Sequence, residues 1–102
     1  MQDVNHVTLA GTVKQDAIAR RVREGLRSMD FTLVTCTRGK PVYVDCVAYG
    51  RVVDEQLEGF VNEGERIEVE GSLSFRTMTA QDGTRRTRSV VYVERAEPVE
   101  GE

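Results

Sequence analysis

The chain has 102 residues, 39% of them hydrophobic and 30% charged, with a formal net charge of −3. That length suits one domain with one modest core. No apolar run approaches the roughly 18 residues needed to span a bilayer and no secretory leader pattern opens the chain, so the expectation is a cytoplasmic protein with no membrane role.

Val4 to Val13 alternates apolar and polar residues, Val7 and Leu9 on one side and His6 and Thr8 on the other, which is the period of a half-buried strand. Gly11 predicts a bend or bulge within it. Phe31–Thr37 and Val42–Tyr49 are rich in β-branched and aromatic residues and flank Arg38-Gly39-Lys40-Pro41, so they predict a hairpin. Val53, Leu57, Phe60 and Val61 recur at helical spacing before Asn62 and Gly64, predicting one short helix. Ile67–Met78 and Ser89–Val93 are two further strands around Asp82-Gly83, a turn signal. The order is three strands, a helix, then two strands. It predicts an all-β, five-stranded OB-fold, a Greek-key barrel with one short helix between strands 3 and 4. Residues 1–96 form the expected domain and 97–102 a short acidic tail.

If the hairpin turn is four residues long, Thr37 lies opposite Val42, and the two faces can be separated. Phe31, Leu33, Val44, Cys46 and Ala48 then point to the interior, while Thr32, Val34, Cys36, Tyr43, Asp45, Val47 and Tyr49 point outward. The only two cysteines, Cys36 and Cys46, fall on opposite faces, where no disulfide can form, and they lack the spacing of a zinc site. Both are read as packing residues. In the next strand Ile67, Val69, Leu73 and Phe75 share the inward parity, leaving Ser72, Ser74, Arg76 and Met78 outward.

Charge is segregated along the chain. Seven acids fall between Asp54 and Glu70, and four more close the sequence. Lys14, Arg20, Arg21, Arg23 and Arg27 make one basic cluster and Arg76, Arg85, Arg86 and Arg88 another, with Arg38 and Lys40 in the turn between. Such a pattern builds either a local positive groove on an acidic protein or a salt-bridged solvated surface. Aromatic side chains on an open β surface take nucleobases by stacking, and arginines beside them hold phosphates. Tyr43 and Tyr49, with Arg51, Arg76 and Met78 near them, fit that chemistry; the alternative is that the tyrosines only cover the sheet or lie in a subunit contact.

Several segments match a known pattern in order: Asn5-His6-Val7-Thr8-Leu9-Ala10-Gly11, Gln15-Asp16 followed by Arg20, Val47-Ala48-Tyr49-Gly50-Arg51, Val61-Asn62-Glu63-Gly64 before Ile67-Glu68-Val69-Glu70-Gly71, and Gln81-Asp82-Gly83. From about Asn5 to Val93 the chain resembles the bacterial single-stranded DNA-binding protein family. The resemblance implies non-specific binding of single-stranded DNA in replication, recombination or repair, in a nucleoid-associated homotetramer or in a homodimer of primosomal type. It places Tyr43 and Met78 at base-stacking tryptophan positions and Tyr49 at a stacking phenylalanine, with Arg76 and Arg86 at basic positions. There are four departures. The chain has no Trp, Asp45 stands where a basic residue is common, the loop between the second and third strands is short, and the end lacks the long linker and acidic Pro-Phe tip that recruits replication proteins. They imply a lower affinity per subunit and put in question the recruitment of replication or primosome partners.

No enzyme, cofactor or metal is expected. The single histidine, His6, has no serine or cysteine constellation to orient it, and Glu65, Glu68 and Glu70 alternate with apolar residues as a solvated strand edge does. The competing reading is a primosome-type OB module whose sheet face binds protein and only weakly nucleic acid.

Overall fold

The computed structural model describes residues 2–57, 59 and 61–99. Among these residues six strands form one sheet: β1 (Val7–Val13), β2 (Ile18–Arg23), β3 (Leu26–Thr37), β4 (Lys40–Tyr49), β5 (Arg66–Thr79) and β6 (Arg85–Pro98). They lie in the order β1-β5-β6-β4-β3-β2, and β1 pairs with β3 as well. All pairings are antiparallel except β4 with β6, which meet in parallel at Cys46↔Val91 and Val47↔Tyr92.

The sixth strand is a correction to the expected five. Every residue of β2 is exposed, so Ile18-Ala19-Arg20-Arg21-Val22-Arg23 has no buried face to impose an apolar alternation. It is an edge strand held by its backbone bonds to β3 (Ile18↔Asp30 to Arg21↔Arg27), and its arginines suit an edge that must not pair further.

The hairpin of β3 and β4 turns on two residues instead of four. Thr37 lies opposite Lys40, and both turn residues have positive φ, Arg38 at 57° and Gly39 at 77°. This is the I′ geometry that matches strand twist. The register therefore differs from the expected one by two residues. Because side chains alternate with period two, every residue keeps its face. Phe31, Leu33, Cys46 and Ala48 are buried in the core, Cys36 is exposed, and both cysteines are free. Burial, with the neighbouring Asp45 charge adding to it, pushes the Cys46 thiol up to about 12.

Gly11 lies where β1 leaves β5 for β3. It pairs with Ile67, and the next residues, Thr12 and Val13, also pair with Val34 and Leu33. A Cβ there would stand 2.5 Å from the Val34 carbonyl oxygen, so only glycine permits this approach.

The helix is offset from the expected one: Arg51 and Val52 are α-helical and lead into π-type winding over Val53–Leu57. Gly59, at φ 94°, is incompatible with continuing it, and Phe60 lies outside the described residues. Val53 and Leu57 are fully buried, and Val61 joins the same core with Val13, Leu33, Ile67, Val69, Val91 and Val93.

The last two strands extend well beyond the core as a long arm. The β1 pairing of β5 ends at Gly71, while the β5–β6 ladder continues to Thr79↔Arg85. This corrects two assignments. Leu73 and Phe75 keep the parity of Ile67 and Val69 but are 46% and 68% exposed, because the arm carries them past the interior. At the other end β6 runs to Pro98, with Glu97 opposite Glu68. The rest of the expected acidic tail, from Glu100 on, lies outside the described residues. Among those residues no helix is long and apolar enough to cross a membrane.

Candidate nucleic-acid interface

The arm folds over the outer face of β3 and β4. Residues directly opposite on antiparallel strands share a face, so Ser72 with Tyr92, Ser74 with Val90, Arg76 with Arg88, and Met78 with Arg86 form one side of the arm. That side meets the sheet: the Arg76 guanidinium donates to Asp30 on β3 at 3.1 Å, and Arg88 lies 3.9 Å from Asp45 on β4. The cover explains why Val47, of outward parity, is buried, as is Val90.

Three depressions follow this contact. One, of about 420 Å³, has Tyr43, Asp45, Leu73 and Arg88 in its wall. A second, of about 240 Å³, is lined by Thr32, Asp30, Asp45, Arg76, Met78 and Arg88. The third, of about 410 Å³, is lined by Arg20, Arg21, Asp30, Tyr49, Arg76 and Met78. Neighbouring depressions share walls: Asp45 and Arg88 belong to the first two, Asp30, Arg76 and Met78 to the last two. Together they make a trough from Tyr43 to Tyr49 that is crossed by the Arg88–Asp45 and Arg76–Asp30 pairs.

Each end of the trough carries an aromatic ring. Tyr43 is 58% exposed, and the Lys14 ammonium sits 4.6 Å above its ring, a cation–π contact. Tyr49 is half-buried and tilts against Tyr92, with ring centroids 5.2 Å apart at 36°. The hydrogen bond to Asp30, opposed by partial burial and joined by the Asp30 charge, raises the Arg76 guanidinium above its already high range, so Arg76 is a permanent cation. Thr32 donates to the other oxygen of Asp45 at 3.2 Å and holds that carboxylate in place.

Of the residues singled out from sequence, Lys14, Arg20, Tyr43, Tyr49, Arg76, Met78 and Arg88 line the trough or touch a residue that does. Arg85 and Arg86 extend the charge toward the tip of the arm, opposite Thr79 and Met78. Three others lie apart. Arg38 forms the hairpin turn and Lys40 opens β4 beside it, while Arg51 is exposed and paired with Glu55 at 3.3 Å. The sequence reading missed Asp30 and Tyr92, and it named Arg21 only as a member of the first basic cluster. Tyr92 was within reach, since its alternation with the buried Val91 and Val93 marks it as outward. Asp30 immediately precedes Phe31, so extending the predicted strand back by one residue would have placed it on the outer face.

A six-stranded sheet with an arginine-lined trough ending in tyrosines has the features of a surface that takes an unpaired nucleic-acid strand. The model of the single-strand binding protein family matches residues 4–99, nearly the whole chain. The chain belongs to that family, and single-stranded DNA is the partner the family implies. No curated protein matches the chain.

Proposed function

We propose that the chain binds single-stranded DNA without strong sequence preference, by stacking bases on Tyr43, Tyr49 and Met78 and by holding phosphates with Arg76, Arg88, Lys14 and Arg20. The observation that carries this reading is the trough that runs from one tyrosine to the other under the arm. Arg85 and Arg86 on the arm, and Arg38, Lys40 and Arg51 further out, supply longer-range attraction. Stacking is tolerant of sequence because every base has a π face, at roughly 1–3 kcal/mol per base.

The pairings support an OB-fold barrel of β1, β3, β4, β6 and β5, since β1 bonds both β3 and β5 and the β4–β6 contact is parallel. In this reading β2 is an addition outside the ring. Binding without catalysis, in the cytoplasm and at the nucleoid, then serves replication, recombination or repair. One such domain contacts few nucleotides, so a homotetramer or homodimer raises the effective concentration of sites.

A primosome-type module that binds protein is the second reading, favoured by the two carboxylates, Asp30 and Asp45, that already occupy trough arginines. Fluorescence anisotropy of a labelled dT oligonucleotide against a duplex of equal length, over a salt series, separates the two. The DNA reading expects dT bound preferentially, with affinity falling as salt rises. No binding to dT at low salt favours the protein-binding module, and equal binding to duplex removes the strand selectivity.

A further inference from the structure

Two like-charged pairs face each other across the trough. Arg76 and Arg88 are directly opposite on the arm, an arrangement that is repulsive in isolation. Below them, Asp30 and Asp45 sit on the outer face of β3 and β4, where Asp30 pairs with Val47 and Thr32 with Asp45, so the two carboxylates are diagonal neighbours. Each repulsive pair is offset by the other through the Arg76–Asp30 and Arg88–Asp45 contacts.

A carboxylate offers a guanidinium what a phosphate offers, two anionic oxygens in one plane. We propose that Asp30 and Asp45 are place-holders for DNA phosphates at Arg76 and Arg88, so that a bound strand takes over both guanidinium groups and leaves both carboxylates to solvent. This rests on the DNA-binding reading above and adds a regulatory element to it. The carboxylates hold the arm down and the arginines aligned in the free protein, and they set affinity below what the arginines alone would give. They also reject weak anions, which cannot compete with a tethered carboxylate. All four contact groups are partly exposed, so each pair is weak enough to exchange.

The test compares the full chain with Asp30→Asn, Asp45→Asn and their combination in the dT titration. Glu70→Gln is the control, because it changes net charge equally but breaks the Glu70–Arg95 pair, outside the trough. Each trough substitution is expected to tighten dT binding about two- to five-fold at low salt, a loss of competition the size of an exposed ion pair. The salt slope is expected to steepen by roughly 0.7 per carboxylate removed. Glu70→Gln should leave both unchanged.

Equal tightening in all the variants would assign the effect to net charge and overturn the proposal. Weaker binding by Asp30→Asn or Asp45→Asn would also overturn it, making the carboxylates positioning groups that the bound state needs. If the chain and every variant bind dT with one affinity, this inference fails while the DNA reading stands. If none binds at all, both fail. Binding by the variants alone would support the place-holder role in its strongest form.

Discussion

Tyr49 and Arg86 represent two kinds of contribution that experiment can separate. Tyr49 lies at one end of the trough beside Tyr92, where a base would add a third ring, while Arg86 is on the arm opposite Met78 and offers only charge. Tyr49→Ala is therefore expected to weaken dT binding by about 1–3 kcal/mol with little change in salt slope. Arg86→Ala should lower the slope by roughly 0.7 with a smaller loss of affinity. Anisotropy titrations at several salt concentrations check both, and an unchanged affinity in Tyr49→Ala would remove its stacking role. Face parity, charge clustering and the family resemblance pointed to these two positions. They did not point to Asp30, whose significance comes from the 3.1 Å contact to Arg76, made across 46 residues of sequence and invisible to any local pattern.

At the scale of elements, the β3–β4 hairpin shows why faces are easier to read than registers. Two candidate turns, of two and four residues, differ in which pairs oppose but give identical inward and outward sets, because the difference is even. The choice between them rests on Arg38, a residue with no preference for positive φ, which adopts 57° beside Gly39. Replacing Gly39 with Ala should cost roughly 1–2 kcal/mol, the penalty of a Cβ in the left-handed region. Arg38→Asn should recover stability, since Asn tolerates that region. Thermal melts of the two variants check the pair of signs. The elements that were hard to read lack a buried face. β2 is exposed throughout, and the arm beyond Gly71 alternates without a core to alternate against. Conversely Ile67 and Val69, which do have a core, were legible from parity alone.

At the scale of the whole molecule, strand adjacency depends on how β1 is shared. Its N-terminal part lies along β5, and Thr12 and Val13 cross to Val34 and Leu33, a short join that the Lys14 N–H continues by donating to the Thr32 carbonyl at 2.9 Å. Around this joint lie Val13, Leu33 and Ile67, all fully or almost fully buried. The sequence signalled a special backbone at Gly11, but the neighbour it approaches is 23 positions away and could not be named without the fold. The obstacle to any larger residue is the main chain of Val34, with the carbonyl oxygen at 2.5 Å and its carbon at 3.1 Å from a Cβ. Backbone held in two ladders cannot swing aside as a flexible side chain would. Gly11→Ala should therefore destabilise the protein by about 1–3 kcal/mol, the range of overpacking, and Gly11→Val by more. Thr8→Ala, at an exposed position on the same strand, should stay within about 0.5 kcal/mol of the parent. Urea denaturation of the three variants provides the measurement. A midpoint unmoved by Gly11→Ala would mean that β1 does not approach β3 so closely, and that the joint between the first and third strands is made in another way.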